Sequence, residues 1–239
     1  MLKKREAIAE IMSFEPRPIE ELQEKIGYVF KDPDLLRTAL THSSTAGQEN
    51  YERLEFLGDR VLGLVIAALL YRKFPEEQEG DMAKRLASLV QGKTLAELSE
   101  RLSLGDYIFF SSAEAAAGGA KNEHILADVF ESLIGALYID GGYEYCSRLI
   151  NTHWQDILHT MRRPPQHPKT TVQEWAQGKG LPLPDYEIVL QSGPDHAPVF
   201  EVCLKVKGHP PVTVKGRSRA MAEKKAAAEF VKGIPEDER

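Results

Sequence analysis

The chain has 239 residues, 42% hydrophobic and 28% charged, with two cysteines and a formal net charge of −6. At roughly 150 residues per domain this is one large domain or two modest ones, and the composition excludes collagen-like, disordered and disulfide-stapled chains. The longest apolar stretch, Val61 to Tyr71, contains a glycine and runs into Arg72-Lys73, so it is too short to span a bilayer and no membrane association is expected. Met1-Leu2-Lys3-Lys4-Arg5 leads into Glu6 and Glu10 instead of an apolar core, so no export signal is expected. Cys146 and Cys203 alone cannot build a disulfide framework or a cysteine zinc site, and a reducing, cytoplasmic location is the expectation.

In chain order, Asp32-Pro33 opens a helix with apolar spacing from Leu35 to Thr41. Further helical runs follow over Glu52 to Phe74, closed by Pro75, over Gly80 to Leu102, and over Ile125 to Tyr138, closed by Gly141-Gly142. Strand-like alternation is scarce before Pro164, so the first 160 residues read as all-α. Arg162-Arg163-Pro164-Pro165-Gln166-His167-Pro168 then forbids helix and favours an extended linker, placed at 161–168. Beyond it the order is helix (Thr170 to Lys179), three β-rich runs (Tyr186 to Gln191, Val199 to Val206, Pro211 to Lys215) and helix (Ser218 to Lys232), an α-β-β-β-α module of the α+β class. Charge divides at the same place. Residues 1–164 hold 19 Lys+Arg against 26 Asp+Glu, whereas residues 165–235 hold 10 against 7, so an acidic body carries a basic appendage.

Two helices concentrate carboxylates. On a wheel of about 100° per residue with Glu52 at zero, Asp59 falls at about −20° and Glu55 at about −60°, opposite Leu54, Leu57 and Val61. Like charges at that spacing weaken a helix unless a cation faces them. Asp128 and Glu131 are likewise i and i+3, in a helix otherwise almost wholly apolar, and buried carboxylates require a counter-charge. Gly135, and Gly63 at the comparable place on the first helix, would let the two acidic faces approach. Four clustered carboxylates then make an oxygen-donor site suited to Mg²⁺ or Mn²⁺. A di-iron bundle is disfavoured, because none of the seven histidines has Glu three positions before it. Phe56 lies at about +40°, beside the acids and away from the core side, where a ring facing outward would be a dimer contact.

Glu52-Arg-Leu-Glu55-Phe-Leu-Gly-Asp59 resembles the signature helix of bacterial ribonuclease III. Leu126-Ala-Asp128-Val-Phe-Glu131-Ser-Leu-Ile-Gly-Ala-Leu-Tyr-Ile-Asp140 resembles the second catalytic helix of that family. The resemblance runs from about Leu22 to Gly233. It implies an all-α RNase III endonuclease domain at 19–142, with a helical extension to about 160, and a double-stranded-RNA-binding domain at 168–236. By resemblance, Glu55, Asp128 and Glu131 hold metal, Asp59 and Glu131 are catalytic, and Glu52 and Glu79 match acidic positions of the cleft. Thr41-His42-Ser43 and Gly118-Gly119 match recurrent segments with a structural role. In the second module, Thr170, Gln173, Glu174 and His196 match minor-groove elements. Arg217, Ser218, Arg219, Lys224 and Lys225 match the cationic run that meets phosphates at a helix N-terminus. Tyr51, Arg60, Ser132 and Ala220 depart from the family pattern, with Arg60 placed off the acid cluster.

The resemblance implies a Mg²⁺-dependent homodimeric endoribonuclease that cuts each strand of duplex RNA, leaving 5′-phosphate and 3′-hydroxyl ends with short 3′ overhangs. Ribosomal-precursor, messenger, transfer and small RNAs are the substrates it implies. Two rivals stand beside it. A non-cleaving RNA-binding protein would gain stability by losing the four carboxylates, and a nucleotide phosphohydrolase would leave the second module unexplained.

Overall fold

In the computed structural model, residues 15–162, 164–194 and 197–235 are described, and the chain divides between Pro164 and Pro165 into two compact units. The first unit contains α1 (Ile19–Ile26), α2 (Pro33–Ala39), α3 (Glu52–Lys73), α4 (Glu79–Leu89), α5 (Gly92–Leu102), α6 (Ser112–Ala116), α7 (Glu123–Gly141) and α8 (Tyr143–Thr160). Short 3₁₀ turns at Leu104–Tyr107 and Gly119–Lys121 complete it. The only pairing of strand type described there is a single parallel bridge between Thr41 and Phe109. None of the described helices is long and apolar enough to cross a membrane.

The helix starts follow local chemistry. Pro33 stands in the first turn of α2 and the Asp32 carboxylate accepts from the Asp34 and Leu35 amides. Asn122 caps α7 through the His124 amide. The run expected as one helix from Gly80 to Leu102 is instead α4 and α5, broken at Gln91, whose backbone is extended. The break is stabilised by groups that take the freed carbonyls. Buried Trp154 donates from Nε1 to the Leu89 carbonyl at 3.0 Å, and Thr94 Oγ1 donates to the Ser88 carbonyl at 2.9 Å.

At the centre of the unit, α7 is buried along most of its length. Val129, Phe130, Leu133, Ile134 and Ala136 are inaccessible and pack against Leu62, Val65 and Ile66 of α3 and Leu95 and Leu98 of α5. A buried guanidinium secures one end of the unit. Arg85 holds Glu77 through two nitrogens (2.8 and 2.5 Å), donates to the Met161 carbonyl at 2.8 Å and lies 3.8 Å from the Phe74 ring centroid.

The second unit contains α9 (Pro168–Gly178), β1 (Asp185–Ser192), β2 (Val199–Lys205), β3 (Val212–Gly216) and α10 (Arg219–Lys232). The strands form one antiparallel sheet in the order β1-β2-β3, with a register shift between Ile188 and Leu190. Leu204 and Val206 pack against Val172 of α9 and Ala226, Ala227 and Phe230 of α10. Alanine on α10 lets that helix lie close to the sheet. Gly216 is needed for the same reason, since a Cβ there would come within 2.7 Å of the Ala222 nitrogen.

Candidate active site

The site begins where α3 crosses α7. A Cβ on Gly58 would overlap the Glu131 carbonyl and come within 2.9 Å of the Gly135 nitrogen, and one on Gly135 would overlap the Leu54 carbonyl. Glycine at both positions therefore lets main chain touch main chain. The expectation paired Gly135 with Gly63, but a Cβ on Gly63 meets only open space. Gly58 takes that place because it lies at about −120° on the same wheel, between the acids and the core side, which is where α7 crosses.

That approach gathers Glu55, Asp128 and Glu131, each contributing an oxygen within 4.8 Å of the others. All three are half-buried. Burial, then the charges of Glu55 and Asp128, push the Glu131 carboxyl up to about 7, with Arg60 opposing the rise. Glu55 is raised by burial and by Asp128 and Glu52, and Asp128 is raised by burial against the opposing pull of His124 and His42. Three acids sharing one partly desolvated space raise one another's carboxyls, and a cation placed among them would favour the charged forms. Their donor set is oxygen alone, which fits a hard divalent cation such as Mg²⁺ or Mn²⁺.

Asp59 is not brought into this trio. Its carboxylate is paired with Arg60, whose guanidinium also lies 5.1 Å from the Phe56 ring centroid. Arg60 is thus at the edge of the acid cluster, not off it as its wheel angle implied, because the angle locates a Cα and not the reach of a long side chain. Glu52 is exposed and linked to Asn50, whose Nδ2 donates to Glu52 Oε2 at 3.4 Å. Glu79 is exposed in the first turn of α4 and stands apart from the trio.

Two neighbours of the trio, named in the sequence as part of a structural segment and as a departure from the family pattern, were not assigned to the site. Tyr51 is buried, hydrogen-bonded to Ser43, and its phenol is pushed up to about 12 by burial and by Asp128, Glu55 and Glu52. The His42 ring lies 5.6 Å from that of Tyr51, and its Nδ1 accepts from the Ser44 amide at 3.1 Å. Both come from a stretch without helical or strand periodicity, so the only signal was the Thr41-His42-Ser43 segment itself. Phe56 is 68% exposed, beside a hollow of about 1010 Å³ that Leu35, Leu57 and Ile139 also line.

In the second unit Thr170, Gln173, Arg217, Lys224 and Lys225 are exposed, as is Glu174. Ser218 caps α10, its hydroxyl accepting from the Met221 amide at 3.2 Å. Arg219 is engaged within the unit. Glu223 accepts from Arg219 Nε at 2.7 Å and from Lys169 Nζ at 2.5 Å. Lys169 was not anticipated, although Glu223 four residues after Arg219 signalled half of that cluster. His196 lies outside the described residues.

The family described as ribonuclease-III-like matches residues 32–157, and the double-stranded RNA binding motif matches residues 168–233. A protein named ribonuclease 3 from Azorhizobium caulinodans is 43% identical over 222 residues, 91% of this chain and 94% of that one. Another of that name from Nitrosococcus oceani is 45% identical over 214 residues, 87% of this chain and 91% of that one. Among solved structures, the nuclease domain of ribonuclease III from Campylobacter jejuni, described for flexibility in its dimer-forming region, matches with a TM-score of 0.56. It is 43% identical and covers 58% of this chain and 99% of that domain. With the helical unit and the α-β-β-β-α module each matched, the chain belongs to the ribonuclease III family of nucleases.

Proposed function

We propose that the protein is a metal-dependent endoribonuclease that hydrolyses phosphodiester bonds of double-stranded RNA, leaving 5′-phosphate and 3′-hydroxyl ends with short 3′ overhangs. The convergence of Glu55, Asp128 and Glu131 carries this reading. Residues 19–142, with the extension to about 160, are the catalytic domain, 161–168 the linker and 168–236 the duplex-binding domain. A divalent cation, Mg²⁺ with Mn²⁺ as substitute, would be held by Glu55, Asp128 and Glu131 and supplies the positive charge that a phosphate needs to approach these acids.

The protein's own groups do the rest. Glu131, the acid pushed furthest up, and Asp59, one turn along α3 from Glu55, orient the attacking water and accept its proton. Water adds to phosphorus, the bond from phosphorus to the 3′-oxygen breaks, and that oxygen takes up the proton the carboxylates accepted from the water and leaves as the 3′-hydroxyl. Arg60 tethers Asp59, and Tyr51 with Ser43 supports the trio from beneath. Glu52 and Glu79 shape the cleft. Exposed Thr170, Gln173 and Glu174, together with His196, reach minor grooves, while Arg217, Ser218, Arg219, Lys224 and Lys225 meet phosphates across the major groove. Ribosomal, messenger, transfer and small RNA precursors are the substrates, and the cytoplasm is the location.

The exposed Phe56 ring beside its hollow supports a homodimer, because a twofold contact sets each ring against the face of the other copy. Phe56→Ala is expected to shift sedimentation toward monomer, and an unchanged profile would remove this support. Cleavage is tested with an end-labelled RNA duplex in Mg²⁺ and in Ca²⁺, with end-group analysis. Products bearing 2′,3′-cyclic phosphate would rule out the proposed water attack.

A further inference from the structure

We propose that a second, cationic groove on the nuclease unit, formed by α3 and α8, binds a phosphate of the RNA backbone away from the cut. The inference rests on the reading of the protein as a duplex-RNA nuclease. The groove has a volume of about 430 Å³ and is lined by Lys73 from the end of α3 and by Arg148, Asn151, Thr152, Gln155 and His159 of α8, over two leucines. Every ionisable residue in that lining is basic, in a unit whose acids outnumber its bases by 26 to 19.

Among the described residues, five cations of this unit are held by carboxylates. Arg17 pairs with Glu21, Lys84 with Asp81, Arg85 with Glu77, Lys93 with Glu97 and Arg60 with Asp59. Lys73 and Arg148 are exposed and, among the described residues, pair with no carboxylate; the Arg148 guanidinium rests 5.2 Å from the Tyr145 ring centroid. The acids Glu144 and Asp156 are on α8 too, but neither lines the groove. Helix ends account for some of the arrangement, since Lys73 and His159 stand in the last turns of α3 and α8, where positive charge is favoured. They do not account for Arg148, which is well inside α8.

The α8 residues recur at i, i+3, i+4, i+7 and i+11 and so share one face. Their donors fit an acceptor-only ligand. The Thr152 hydroxyl is used on the Arg148 carbonyl at 2.9 Å, and Asn151 Nδ2 donates to Ser147 Oγ at 3.2 Å. The ammonium of Lys73, the guanidinium of Arg148, the Gln155 amide, the His159 ring and the second N–H of Asn151 remain. A phosphodiester offers only acceptors, and an arginine with a lysine beside it is the usual means of holding one. Lys73 lies about 27 Å along α3 from Glu55 at 1.5 Å per residue. The contact is therefore made by duplex that continues beyond the scissile bond, and it adds affinity for long substrates without touching the chemistry.

The test is the full-length Lys73→Glu/Arg148→Glu protein, with circular dichroism to establish its fold and Lys73→Gln/Arg148→Gln as the milder variant. Binding is measured in Ca²⁺ over a salt series, with a duplex of about 16 base pairs, the span of one binding module, and with one three times longer. The double glutamate variant is expected to lose about tenfold in affinity for the long duplex. Its salt slope should fall by about one, at about 0.9 per phosphate contact. Short-duplex binding and the single-turnover cleavage rate at saturating RNA should match wild type, and the glutamine variant should show the same pattern at reduced size. An unchanged salt slope on the long duplex would overturn the proposal, as would equal losses on both lengths, which signal a diffuse change in charge. Inorganic phosphate is titrated in parallel against the His159 resonance. Phosphate binding abolished by the variant, with RNA affinity untouched, would overturn the RNA assignment in favour of a free-phosphate site. A wild-type protein that binds neither duplex overturns the nuclease reading as well, whereas a normal wild type with an indifferent variant overturns this inference alone.

Discussion

Glu131 and Glu223 are the same residue type, each on a helix and each withdrawn from water, yet they meet opposite surroundings. Burial alone would raise Glu223, but hydrogen bonds from Lys169 and Arg219 hold its carboxyl below the ordinary range. Glu131 faces Glu55 and Asp128, and burial with their charge pushes it up to about 7. In the second unit the chain answers its own buried charge, and the result is a fixed surface. In the first it gathers three charges and leaves them for something from outside. An acid cluster unanswered within the fold marks a place for a ligand, whereas an answered one marks architecture.

The strongest way to break that contrast is Glu131→Gln. Cleavage of duplex RNA in Mg²⁺ should fall by about 10³-fold, the several kcal/mol expected of charge stabilisation at a metal site, while filter-binding affinity in Ca²⁺ stays within about twofold. Cleavage at the wild-type rate would remove Glu131 from the mechanism. The seam comes next. Gly58→Ala must push the two touching backbones apart and should cost about 1–3 kcal/mol in urea unfolding, whereas Gly63→Ala, with room for its methyl, should gain up to about 1 kcal/mol from helix propensity. Equal effects at the two glycines would refute the crossing.

Acidity separates the two regions by sign. Without metal, folded Glu131 keeps its proton up to about 7 where an ordinary glutamate loses it near 4.5, so the folded state binds more protons between those values. The melting temperature of metal-free protein should fall as pH rises through that window, and Glu131→Gln should flatten the fall. Glu223 runs the other way, its contribution present above the ordinary glutamate value and lost as pH drops below it. Because Arg219 is exposed and Lys169 partly so, Glu223→Gln should cost only about 1 kcal/mol or less at neutral pH and nothing near pH 3. Ser132, inaccessible and with a hydroxyl unpartnered among the described residues, gives a test of similar size. Ser132→Ala should add about 1 kcal/mol to stability without altering cleavage, and a loss would point to a partner for that hydroxyl.

Much of the site was legible because periodicity carried it. Asp128 and Glu131 stand out as charges inside an apolar helix, and Gly135 as the missing bulk between them. Misreadings arose where a wheel has no information. It has no depth, so it offered Gly63 in place of Gly58, and it has no reach, so it left Arg60 away from an acid that the side chain grasps. Tyr51 and His42 went unassigned to the site because the segment joining α2 to α3 has no period to read. The break between α4 and α5 depends on Trp154, 65 residues beyond Leu89, and a window of local sequence does not contain such a partner.

The contact between Gly58 and Gly135 has a consequence for how such a chain can age. Where two helices are spaced by side chains, each substitution in the core resets their separation. Here the spacing is a hard stop of peptide against peptide, so the separation of Glu55, Asp128 and Glu131 is set by main chain at the crossing and not by the size of a side chain between the helices. At this crossing the two positions that cannot drift are the ones that have no side chain to lose.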